Sequence, residues 1–72
     1  MSRATGKIYR AVIHYGGDLR PLYFHYPPKD WSIAIRNNDL VLLVEEVNEI
    51  WFHVVFEDQH GWVQLDGMEP HE

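Results

Sequence analysis

From Asp39 to Pro70 the chain runs as a series of β-rich segments broken by short polar turns. Asp39-Leu40-Val41-Leu42-Leu43-Val44-Glu45-Glu46 comes first, then Trp51-Phe52-His53-Val54-Val55-Phe56, and after a polar break Gly61-Trp62-Val63. Short strands with turn signals at this spacing specify a small barrel or sandwich, not a helical domain. Leu and Glu give residues 40–49 some helix propensity. The neighbouring Ile, Val and Trp and the turn signals at both ends outweigh it. A barrel this small has little room for a catalytic pocket. It does offer a surface on which aromatic side chains sit half exposed, which directs the functional question toward peptide binding.

Seventy-two residues make one domain. Residues 1–6 are expected to be a flexible lead-in, 7–70 the folded unit and 71–72 a tail. A chain of this size buries only about 60% of the surface its unfolded form exposes, so its core is thin. Cysteine is absent, which removes disulfides and Cys-based zinc sites from consideration and fits the cytoplasmic location expected here. The polar start, Met1 to Gly6, does not read as a signal peptide, and Leu40 to Val44 is too short to span a bilayer.

Charge is divided along the chain. All six cations (Arg3, Lys7, Arg10, Arg20, Lys29 and Arg36) lie in residues 1–36 against Asp18 and Asp30, a net of +4, whereas residues 37–72 carry nine acids and no Lys or Arg. Nucleic acid requires a basic footprint and an anionic membrane requires the same, so neither is an expected partner. A clustered acidic surface would select a basic partner.

Lys7 to Tyr15 is strand-like, and Gly16-Gly17 ends it. Residues 18–31 read as irregular, because three prolines between positions 21 and 28 argue against a helix and a central strand. Ile33 and Ile35 mark a brief strand, and Asn37-Asn38-Asp39 a turn. Strands follow over 40–46 and 50–56, with a polar hairpin at Glu57-Asp58-Gln59-His60. A short turn, read as 3₁₀, spans 64–67, and Met68-Glu69 forms the last strand fragment before Pro70.

Four blocks in this order resemble the SH3 domain family. Ala11-Val12-Ile13-His14-Tyr15 is similar to that family's "ALYDY" block, and residues 33–43 resemble its "LSFKKGDIL" step. Trp51-Phe52-His53-Val54 looks like its tryptophan pair, and Gly61-Trp62-Val63-Gln64 through Met68-Glu69-Pro70 looks like "G(W/F/Y)VPxNYVEP". The resemblance covers roughly residues 8–70. It implies an all-β fold, a small five-stranded SH3-like barrel with a long RT-type loop at 16–32, an n-Src loop at 46–50, a distal hairpin at 57–60 and a 3₁₀ turn at 64–67. Alternation then points Tyr9, Ala11, Ile33, Ile35, Val41, Leu43, Val54, Val63 and Met68 inward.

The resemblance also implies a groove in which a polyproline II peptide docks between aromatic ridges, beside acids that take a flanking Arg or Lys. By position the chain keeps Tyr15, Trp51 and Trp62. Ile13 stands in place of the first tyrosine, Gln64 in place of the groove proline and Gly67 in place of the second tyrosine. Peptide binding is therefore expected at Tyr15, Trp51 and Trp62, with Glu45, Glu46, Glu49 and Asp18 supplying charge. Further contacts are expected from the loop at Tyr23, Tyr26 and Trp31. The loop's extra content, residues 21–28, is apolar and aromatic and is not expected to wave freely in water. It either folds back and fills part of the groove or is itself the recognition surface.

No metal site and no cofactor are expected. The five histidines lack ligand spacing with an acid, and His14 and His53 read as ordinary surface groups. The chain shows no nucleophile–base pair and no glycine-rich phosphate loop, so it is not expected to be an enzyme. The leading expectation is a non-catalytic interaction module of a cytoplasmic signalling or scaffold protein. It would bind a short peptide, Pro-rich and basic-flanked, weakly through a partly degraded aromatic groove. The alternative is a structural SH3-like module that has lost this binding and docks within its own chain, or self-associates, through the long aromatic loop.

Overall fold

The computed structural model describes residues 3–71. Met1, Ser2 and Glu72, at the ends of the expected lead-in and tail, lie outside the described residues. The described chain contains no helix and forms seven strands: β1 (Ile8–Val12), β2 (Leu19–His25), β3 (Lys29–Arg36), β4 (Leu40–Glu46), β5 (Trp51–Phe56), β6 (Gln59–Gln64) and β7 (Gly67–Pro70). They make one antiparallel sheet in the order β3-β2-β6-β5-β4-β1-β7, with β3 and β7 at its two ends.

Two local expectations change. Residues 18–31 are not irregular; most of them form the β2–β3 hairpin, paired from Leu19↔Arg36 to His25↔Lys29. Pro21 is tolerated there because β2 meets β6 only at Tyr23↔Trp62, so Pro21 has no ladder partner on that side. Residues 65–66 form a bend between β6 and β7, not a 3₁₀ turn. Asp66 organises this bend by accepting the backbone N–H groups of His14 and Tyr15, so side-chain bonds replace a helical one.

Turn chemistry explains the remaining boundaries. Asn38 takes a left-handed backbone (φ 78°), which asparagine adopts more readily than most residues. Its N–H donates to the Ala11 carbonyl, while Asn37 Oδ1 accepts from the Ile13 N–H and Asp39 Oδ2 from the Arg36 N–H. The β5–β6 turn is only two residues, Glu57 and Asp58, both left-handed (φ 52° and 65°), between the Phe56↔Gln59 pair. Two positive φ values match the right-handed twist of the flanking strands, although the residues are not the Asn-Gly such turns favour.

The core contains Tyr9, Ala11, Ile13, Leu22, Ile35, Val41, Leu43, Phe52, Val54, Val63, Leu65 and Met68. Eight of the nine expected inward residues are among them. Ile33 is only partly buried, packed at the margin with Phe56. Ile13, Leu22, Phe52 and Leu65 complete the core from segments that are turns, hairpin or the far side of Trp51. A bulge between Leu43 and Glu45 leaves Val44 unpaired and lets β4 serve β1 through Leu40–Leu42 and β5 through Leu42–Glu46.

Residues 3–6, expected to be loose, are tied along β4. Gly6 donates to the Leu43 carbonyl (2.8 Å), and Tyr9 Oη donates to the Ala4 carbonyl (2.7 Å). Arg3 bonds the Glu46 carboxylate through both its main-chain N–H and its guanidinium.

Candidate functional site

The ladder registers place distant residues in one row. Tyr23 pairs with Trp31 and with Trp62, Trp62 pairs with His53, and His53 pairs with Glu45. Directly paired residues share a sheet face. The row Trp31–Tyr23–Trp62–His53–Glu45 therefore crosses β3, β2, β6, β5 and β4 on the face opposite Leu22, Val54 and Val63. Simple alternation would set Trp31 on the same face as Ile33 and Ile35. A second bulge, where Leu22↔Ile33 is followed by Tyr23↔Trp31, skips Ser32 and turns Trp31 outward, where it is 54% exposed.

Trp51 lies two residues before His53 and so shares this face. Its indole is half buried because the β2–β3 hairpin leans over it. Tyr26, from the hairpin turn, meets Trp51 edge-on (ring centroids 5.7 Å apart) and stacks toward Trp62 (6.5 Å, planes 25° apart). Tyr23 approaches Trp51 at 5.9 Å. The imidazole of His53 lies flat on Trp62 at 4.2 Å, with His60 5.7 Å from it. Tyr26 thus occupies the space between the two indoles.

Gly61 makes this arrangement geometrically possible. A Cβ at position 61 would lie 2.5 Å from Leu22 Cγ and 2.7 Å from the Tyr23 carbonyl oxygen. β2 can therefore approach β6 only where β6 has no side chain.

On the other side of Trp51 lies an open depression of about 530 Å³ lined by Tyr26, Asn48, Glu49, Ile50 and Trp51. The Val47–Ile50 loop that borders it is held by main-chain and side-chain bonds. Val47 and Asn48 donate to the Trp51 carbonyl, and Asn48 Oδ1 accepts the N–H groups of Ile50 and Trp51. This sets Glu49 and the 44% exposed Ile50 beside the indole.

The expected site residues divide accordingly. Trp51, Trp62, Tyr23 and Tyr26 come together; Glu49 joins them at the depression, and Trp31 continues the row at its far end. Tyr15 stands apart. It is 74% exposed with its ring edge-on to His14 at 6.1 Å, and its carbonyl accepts from Arg20. Asp18 is exposed in the turn before β2 and does not border the depression. Glu46 is engaged by Arg3 (3.2 Å), and Glu45 ends the aromatic row without reaching the depression.

Two histidines belong to the cluster, His60 and His53, the latter read from the sequence as an ordinary surface group. His53 and Trp51, like His60 and Trp62, stand two residues apart on a strand, so alternation alone places each pair on one face. Burial pushes His53 below the ordinary histidine range, the nearby His60 adds to this, and Glu45 opposes it. Its Nε2 is buried and has no hydrogen-bond partner among the described residues. Near Tyr15, the backbone N–H bonds from His14 and Tyr15 hold Asp66 below the usual carboxylate range. Desolvation opposes this in part, and the Arg20 guanidinium, 3.4 Å away, adds a smaller lowering.

Comparison of the chain with protein-family models, with curated proteins and with solved structures returns no match.

Proposed function

We propose that this domain is a non-catalytic interaction module, a divergent member of the SH3 family, that binds a short basic-flanked peptide through Trp51, Tyr26 and Glu49. The observation that carries this reading is the half-buried Trp51 indole bordering an open depression with a carboxylate, Glu49, at its rim. An aromatic wall beside an acid suits an apolar side chain or proline ring on the indole, followed by an Arg or Lys held by charge and by the ring face. The order of the resembling blocks supports the family assignment. Residues 11–15 finish β1 and continue past it, Trp51 opens β5, Gly61-Trp62 lies within β6, and Met68–Pro70 lies in β7.

Tyr26 fills the ground between Trp51 and Trp62, so one pocket remains where a polyproline II ligand uses several. Affinity is accordingly weak, roughly 0.1–1 mM. Titration with a Pro-rich peptide ending in arginines, followed by NMR, should shift the Trp51 indole signal and the Glu49 and Ile50 amides. W51A should abolish the response and E49Q should weaken it about threefold. Silence of these signals at 5 mM peptide rejects the reading.

A second reading, docking or self-association through the long hairpin, is favoured by the exposure of Trp31, Phe24 and Tyr26 on that one element. Sedimentation of the free domain tests it, because a dimer lost on hairpin substitution would replace peptide binding as the domain's role.

A further inference from the structure

The two ends of the sheet are built differently. β7 has four residues and ends in Pro70, its Glu69 pairs with Arg10, and the next N–H, of His71, donates to the Ile8 carbonyl. β3 has eight residues, the most of any strand, and pairs only with β2. Its outward hydrogen-bonding direction can be read from its neighbours. Pro21, opposite Ala34, has no N–H to give, and the Arg36 N–H turns outward to Asp39 Oδ2 at 2.9 Å. Strand N–H groups alternate in direction, so the Ala34 N–H and C=O point the same way as those of Arg36, away from β2. The turn at Asp39 closes the Arg36 end, and the bulge at Ser32 divides the remaining edge into two short stretches. Such an edge is too irregular to template a long strand and open enough to admit a short one.

Its side chains state what that short strand should carry. Lys29 and Arg36 mark the two ends of β3, both are exposed, and neither forms an ion pair among the described residues, although the chain as a whole is net −5. Asp30 is the one acid on the strand and holds a left-handed backbone (φ 57°) beside the turn. Between the cations stands Trp31, the outermost member of the aromatic row. A strand added at this edge sets one residue opposite Trp31 and prolongs that row. A second copy pairing antiparallel about the centre of β3 sets Lys29 against Arg36 at each end, where like charges repel.

We infer that the β3 edge is a second interaction surface, which takes a short extended acidic segment of another protein by strand addition. If the segment follows the register of β2, where His25 and Leu19 oppose Lys29 and Arg36, its acids stand six residues apart. An aromatic or β-branched residue two positions inside one of them lies opposite Trp31.

The probe is a ten-residue peptide of alternating valine and threonine with glutamates six positions apart and a tyrosine two positions inside one of them. Added to the labelled domain, it should shift the β3 amides and the Trp31 indole and slow exchange of the Ala34 amide hydrogen. K29E/R36E, which changes only exposed side chains, should weaken binding about tenfold, and a lysine-flanked version of the peptide should bind no better than that variant. A34P removes the outward N–H and should weaken the peptide-induced shift of the Trp31 indole about tenfold. The inference is overturned by silence at 5 mM peptide, by shifts centred on Trp51 and Glu49, or by indifference to charge reversal. A free-domain dimer that A34P dissolves overturns it in favour of a second copy. Binding at Trp51 is read with a different peptide at different residues, so either surface can fail without the other.

Discussion

The β4–β5–β6 meander and the β2–β3 hairpin are both antiparallel and both rich in aromatic and β-branched residues, yet they are held in different ways. The meander pairs along most of its length, broken only by the bulge at Val44, and contributes Val41, Leu43, Phe52, Val54 and Val63 to the core. The hairpin contributes Leu22 and Ile35 and joins β6 through a single ladder pair. Its aromatic residues lie on the outer face, where they meet the meander's tryptophans as neighbours on a surface. The meander supplies more of the buried core, and the hairpin decides how much of Trp51 is exposed. In the proposed binding role the hairpin would gate the surface, and elements that do so belong to the weakly held end of a structure.

Five variants break or sharpen the contrast. Phe52→Ala empties a fully buried site in the meander and should cost about 3–5 kcal/mol, enough to unfold most of so small a domain. Denaturant melting should show one cooperative loss; a partly folded state retaining the meander would contradict its assigned role. Gly61→Ala strikes the seam, where the new methyl meets Leu22 and the Tyr23 carbonyl, and should cost about 1–3 kcal/mol. Its signature is a change in Trp51 and Trp62 fluorescence while the β4–β5 amides keep their shifts. Equal disturbance of both regions would erase the distinction.

In the opposite direction, Glu57→Asn with Asp58→Gly relieves two left-handed residues and should stabilise the meander by about 1 kcal/mol. Hydrogen exchange should then slow in β5 and β6 while local opening of the hairpin keeps its rate. Tyr26→Ala removes two ring contacts made outside the core and should cost about 0.5–1.5 kcal/mol. It should raise quencher access to Trp51 far more than it lowers the melting temperature. The smallest effect is on pH. His53 is held below its unfolded value of 6.5, so the unfolded chain binds the proton first. The contribution of neutral His53 is complete above that value and is lost as pH falls through the folded pKa. His53→Phe should flatten the slope of stability against pH just below 6.5; an unchanged slope would assign it to other groups.

The strand pattern of the second half was legible because 40–46 and 51–56 are runs rich in β-branched, aromatic and other apolar residues between clear turn residues. The hairpin was hidden by its prolines, which usually argue against an interior strand. Pro21 is accommodated only because β2 touches β6 at one pair, a tertiary fact absent from local sequence. Of the candidate site, Trp51 and Trp62 were readable from their blocks, and Tyr23 and Tyr26 from the composition of the loop. Tyr15 was expected beside them, but its main chain is held by Asp66 and Arg20 in another part of the surface. Glu46 was counted as open to a ligand, but the lead-in segment folds back and occupies it through Arg3. The Asp66 and Arg3 contacts join residues more than forty positions apart, which no local pattern encodes.

The bare backbone at position 61 also has a genealogical consequence. In any descendant or cousin of this chain, a side chain there forces β2 outward and strips the tyrosines from the tryptophans. Gly61 and the aromatic β2–β3 hairpin should therefore be inherited together or lost together, a linkage that an alignment of such sequences would display without any structure.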